Sequence, residues 1–104
     1  LKKKSNEYIE MLYNILPYTF KKAKKLNLLV YPSDNPNYKL EIYNGTTGEF
    51  LFYGGDPRYE DYPHYIKSHG KLYANERRRL YRIRHAKEVE DIGSRGWVIA
   101  ELLW

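Results

Sequence analysis

The sequence predicts an α+β domain, a β-hairpin or small antiparallel sheet packed with N-terminal helices and one Arg-rich helix. Three observations predict it. Tyr38–Tyr43 sets Tyr38, Leu40 and Ile42 against Lys39, Glu41 and Tyr43, the two-residue period of a strand with one buried face, and the turn residues NGTTG follow at Asn44–Gly48. Before the hairpin, apolar residues recur at helical spacing. After it, NERRRLYRIRHAK at Asn75–Lys87 carries five arginines, interrupted by Leu80, Tyr81 and Ile83.

In chain order, Ser5–Leu16 reads as a first helix, with Ser5 or Asn6 as cap and a wide apolar face of Tyr8, Ile9, Leu12, Tyr13, Ile15 and Leu16. Pro17 either ends it or opens a second helix, Tyr18–Leu26, where a missing N–H costs little. Lys21, Lys22, Lys24 and Lys25 on that helix form a secondary basic patch; a solvated face is the plain reading and phosphate contact the sharper one. Asn27–Tyr31 is expected to be a short buried strand and PSDNPN at Pro32–Asn37 a loop. Glu49–Tyr53 completes the hairpin with Phe50 and Phe52 expected on one face, stopped by Gly54, Gly55 and Pro57.

Arg58–Gly70 contains Pro63 and is expected to be an ordered loop, its Glu60 and Asp61 pairing with the arginines that follow. The Arg-rich helix should run from Leu72 or Asn75 to about Glu90, with Asn75 as cap and Gly93 and Gly96 as breakers. Helical spacing puts Leu80 and Ile83 on one side, toward the domain, and Arg78, Tyr81, Arg82 and His85 on the other, toward solvent. Trp97–Trp104 is apolar and is expected to close the core as a helix or strand, or to anchor in another protein.

The 104 residues make one small domain, and a domain of this size buries a limited share of its surface. Twelve tyrosines suit shallow cores and interfaces, because each ring keeps a polar tip. The net charge of +5 is segregated: residues 1–25 carry seven Lys against two Glu and residues 71–87 seven basic residues against Glu76, while residues 26–70 and 88–104 are acidic. Two basic segments of this kind attract polyanions, acidic neighbours or acidic parts of other copies of the chain. Without cysteine, disulfides and thiolate metal sites are excluded. No apolar run reaches the roughly 20 residues of a membrane span, and the start, LKKKSNEY, is too polar for a signal peptide. Leu1 in place of Met is read as the sign of a longer or processed product.

Tyr53-Gly54, Tyr59-Glu60-Asp61-Tyr62, Glu76-Arg77-Arg78-Arg79, Arg84-His85, Gly96-Trp97 and Leu102-Leu103-Trp104 occur in that order. In this the chain resembles an uncharacterised family of small basic proteins of nucleocytoplasmic large DNA viruses, over about residues 38–104. Residues 1–37 lie outside the match, and Pro63–Ala74 is longer than the family pattern. The resemblance implies a large DNA virus as source, a minor virion or accessory role, and a place in the virion or infected cell without secretion.

Enzyme chemistry finds little support. His64, His69, His85, Asp56, Glu60 and Asp61 follow no recognised metal-ligand spacing, so no metal and no cofactor are expected. No G-x-S-x-G elbow is present, and Tyr53-Gly54-Gly55-Asp56 lacks the Lys-Ser/Thr of a phosphate loop. The expectation is a non-enzymatic, virion-associated minor structural protein that contacts other virion or capsid proteins, or itself, through arginine and tyrosine. The alternative is a sequence-nonspecific DNA- or RNA-binding accessory protein that uses helix 75–87. The binding residues are Arg77, Arg78, Arg79, Tyr81, Arg82, Arg84 and His85, with Tyr59, Tyr62, Trp97 and Trp104 as interface anchors.

Overall fold

Pro17 opens helix α1 (Pro17–Lys25) in its first turn, where no N–H is missed, and Lys22, Lys24 and Lys25 fall in the last turn, where the helix dipole favours cations. The computed structural model describes residues 12–104. Of the expected first helix, Ser5–Met11 lies outside the described residues, and Leu12–Leu16 is not helical. Thr19 and Ala23, one turn apart on α1, are buried, and the Thr19 hydroxyl donates to the Leu102 carbonyl at 2.9 Å. Asn27 then reverses the chain with a φ of 55°, a left-handed conformation that Asn tolerates.

Three antiparallel strands follow in sequence order, β1 (Leu28–Pro32), β2 (Leu40–Asn44) and β3 (Phe50–Gly54). Val30, Leu40 and Ile42 point into the core and Leu29 and Tyr31 point out, so β1 is half-exposed and not the buried strand expected. Ile42 pairs with Phe52 but Tyr43 pairs with Phe50, which leaves Leu51 as an extra residue in β3. This bulge breaks the expected alternation. Phe52 packs on the core, whereas Phe50 turns to the outer face, against Tyr43 and Tyr53.

The segment 58–70 is not a loop throughout. Helix α2 (Tyr62–His69) begins there, with the Asp61 side chain accepting from the His64 N–H. Pro63 lies in the first turn, so it favours the start where its sequence position suggested an obstacle. Gly70, at a φ of 89°, joins α2 to helix α3 (Lys71–Arg84), and Asn75 is not its cap but accepts from the Tyr62 hydroxyl inside the helix. His85 separates α3 from the short α4 (Ala86–Glu90). Gly93 turns the chain, and Ser94 caps α5 (Arg95–Leu103) by accepting from the Trp97 N–H. Gly96 does not break a helix; it lies in the first turn of α5, where a Cβ would come within 2.4 Å of Glu88 Cβ.

The core joins Ala23, Val30, Leu40, Ile42, Tyr62, Tyr65 and Ala74 to the apolar face of α5 and Trp104. Helix α3 faces the opposite way from the side predicted by Leu80 and Ile83. Its buried line runs through Ala74 and Tyr81, while Ile83 is 59% and Leu72 88% exposed. The physical reason lies in rings: the Arg78 guanidinium sits 3.9 Å from the Tyr62 ring centroid, Arg77 lies over Tyr65, and Tyr81 stacks on Trp104. Flat cations on aromatic faces dock this helix, so counting aliphatic residues chooses the wrong side. No helix among the described residues is long and apolar enough to cross a membrane.

Candidate functional site

A cleft of about 600 Å³ opens where the end of β3, the second half of α3 and the start of α5 meet. Gly54 and Gly55 form one wall without side chains. Gly55 has a φ of 87°, and a Cβ there would press on Leu103 and Lys39 at about 3 Å, so glycine lets the end of β3 pack directly against these two side chains. Tyr81, Ile99, Leu103 and Trp104 give the cleft an apolar back. Tyr81 lies between two rings, His85 at 4.2 Å and Trp104 at 4.3 Å between centroids, both nearly parallel. Burial, then the Glu88 carboxylate, pushes the Tyr81 hydroxyl above its usual range.

Arginine supplies the charge. Arg77 and Arg84 are seven residues apart on α3 and fall on the same side of the helix, and Arg95 enters from the first turn of α5. None of the three has a carboxylate within ion-pair distance among the described residues. The Arg77 Nε is buried without any hydrogen-bond acceptor among them. The acids of the cleft have partners of their own: Asp56 with Arg58 at 2.8 Å, Glu60 near His69 at 3.8 Å, and Glu88 near His85 at 3.6 Å. Hydrogen bonds from the Arg58 side chain and backbone hold the Asp56 carboxyl down to about 2.

Of the sequence-predicted residues, the fold brings Arg77, Tyr81, Arg84 and His85 together, with Tyr59 and Trp104, in this cleft. Arg78 lies on Tyr62, and Arg79 pairs with Glu76 at 2.6 Å, away from it. Arg82 is half-buried outside the cleft, with no acidic partner among the described residues. Lys21, Lys24 and Lys25 are exposed on α1, and Lys22 pairs with Glu101 at 3.2 Å. Among the proposed anchors, Tyr59 is exposed and Trp97 half-buried, but Tyr62 and Trp104 belong to the chain's own core. The predicted pairing of Glu60 and Asp61 with the α3 arginines does not occur.

Asp61 organises a separate site. It is fully buried, its Oδ2 accepts from Lys39 Nζ at 3.0 Å and from the Tyr13 hydroxyl, and its Oδ1 lies 2.8 Å from His64 Nδ1. Burial alone would raise its pKa, but the Lys39 charge and the hydrogen bonds from Tyr13, His64 and Lys39 outweigh this and hold it low. The Tyr13 hydroxyl is driven far up by its burial and by Asp61. Among the described residues no three His, Asp or Glu side chains are placed to hold a metal ion.

Sequence reasoning missed Arg95, Gly55 and an aromatic row on the outer face of the sheet. Tyr31, Tyr43, Phe50, Tyr53 and Tyr38 follow one another at 4.9–5.5 Å between ring centroids. Arg95 lies over Tyr38 at 5.4 Å and so joins this row to the cleft. Arg95 was visible as the lone cation of an acidic stretch, next to a glycine. No family model, curated protein or solved structure matches the chain.

Proposed function

We propose that the protein is a non-enzymatic binding protein that holds nucleic acid through its phosphates, without reading sequence. The observation that carries this reading is the state of the α3 arginines. Only Arg79 meets a carboxylate; Arg77, Arg78, Arg82 and Arg84 have none within ion-pair distance among the described residues. Guanidiniums left in this state attract phosphate oxygens and bind them as forks. The outer aromatic row, reached through Arg95, offers faces on which unpaired bases stack. Single-stranded DNA or RNA therefore suits this surface better than a duplex.

The test is a titration of labelled single-stranded DNA with the purified chain at about 50 and about 200 mM salt. Contact with about three phosphates weakens binding about tenfold to thirtyfold over that range. Arg82→Glu with Arg84→Glu removes the binding while leaving the rings under Arg77 and Arg78 in place. No binding at low salt, or equal binding by the variant, overturns the reading. A different observation, the exposure of Leu72 and Ile83 on the outer side of α3, then favours the second reading. In that reading the protein is a virion-associated component of a large DNA virus, and this apolar pair meets a neighbouring capsid protein.

A further inference from the structure

We propose that the cleft between β3, α3 and α5 is a pocket for a nucleoside 5′-phosphate, either free or at the end of a strand. The inference deepens the nucleic-acid reading and rests on it for the strand-end source; the free nucleotide needs only the cleft. Backbone contacts along α3 do not call for a cavity, yet one of about 600 Å³ is present, in the range that holds a ligand of nucleotide size and far beyond a lone phosphate.

Its walls divide by chemistry. Arg77, Arg84 and Arg95 supply three guanidiniums without carboxylate partners among the described residues. The positive end of the α5 dipole reaches the same place, since Arg95 and Gly96 are the first two residues of that helix and both line the cleft. Arg77 is the telling member. Its Nε is sealed from the cleft and meets no acceptor among the described residues, so an anion in the cleft meets this guanidinium through its terminal nitrogens. The 55% exposed ring of Tyr59 belongs to the same lining. A flat exposed ring suits a base, and a bare inorganic anion would leave it unused.

The experiment is isothermal titration of the intact chain with AMP, adenosine and inorganic phosphate, followed by short oligonucleotides carrying a 5′-phosphate or a 5′-hydroxyl. AMP is expected to bind at least about tenfold more tightly than adenosine or phosphate. Arg84→Glu and Arg95→Glu, both at exposed positions, are each expected to abolish that preference, Arg84→Glu without moving the melting temperature. Arg77→Lys, which keeps the charge and loses the fork, is expected to weaken AMP about tenfold. AMP binding no tighter than phosphate, or unchanged in Arg84→Glu and Arg95→Glu, overturns the proposal. Tighter binding of the 5′-phosphorylated oligonucleotide assigns the pocket to strand ends, and equal binding of both oligonucleotides with a retained AMP preference assigns it to the free nucleotide. The 5′-hydroxyl oligonucleotide reports phosphate-backbone binding by itself, so failure of the pocket and failure of the nucleic-acid reading give different results.

Discussion

Lys39 and Arg77 are two cations set against the same core, and they face opposite surroundings. The Lys39 ammonium is buried and meets Asp61 at 3.0 Å, with Tyr13 and His64 completing the carboxylate's partners. The Arg77 guanidinium rests on the Tyr65 ring, with a buried Nε that meets no acceptor among the described residues. A closed set of charges holds elements together, here the chain before α1, the hairpin and the start of α2. An open set leaves its attraction for something outside the fold. On the reading proposed above, stability belongs to the Asp61 cluster and binding to the arginine cleft, and substitutions separate the two.

The largest effect belongs to Asp61→Asn. It leaves the Lys39 ammonium buried beside a neutral amide, a loss of about 3–5 kcal/mol, a large share of the total stability of a small domain. Urea denaturation measures it, and adding Lys39→Met should recover much of the loss by removing the stranded charge. If Asp61→Asn unfolds no earlier than the native chain, the closed cluster is not what holds these elements.

Acid gives the next effect. The folded-state pKa of Asp61 is depressed, so its contribution is present above the unfolded value of about 3.9 and is lost as pH falls through the folded value. Melting temperature should therefore hold between neutral pH and about pH 5 and fall steeply below about pH 4. Arg84→Glu should follow the same profile, whereas Asp61→Asn should flatten it. An equally steep fall in Asp61→Asn would place the acid sensitivity elsewhere.

The smallest effects separate neighbouring arginines. Arg78→Ala loses the contact with Tyr62 and should cost about 1 kcal/mol in thermal or urea unfolding. Arg79→Ala breaks an ion pair at the surface and should leave the midpoint unchanged. A measurable cost for Arg79 would blur the line between arginines that build and arginines that do not.

The hairpin was legible because two short-range signals, alternation and turn chemistry, agree over Tyr38–Tyr43 and Asn44–Gly48. Helix α1 was legible for the same reason, from Pro17 and the spacing after it. Helix α2 was hidden by Pro63, since the same residue blocks a helix in its middle and favours one at its start, and only the cap at Asp61 decides between them. The orientation of α3 was hidden because aliphatic periodicity takes no account of guanidiniums stacked on tyrosines. For the site, Arg77, Arg84 and His85 were readable as a cluster on one helix. Arg95 and Gly55 were not, because only tertiary packing brings residues so far apart in sequence to one cleft.

The extra residue at Leu51 bears on how copies of this chain can meet. Among the described residues, a three-stranded sheet has two rims with no further strand, each a template for one more. On β3 the bulge interrupts the regular spacing of donors and acceptors, and on β1 the last residue is Pro32, which has no N–H to offer. Both rims are blunted, so the sheet is protected from growing, copy by copy, into a fibre. Association of copies is left to their side-chain faces, where charge and shape choose the partner and a single substitution can undo the choice.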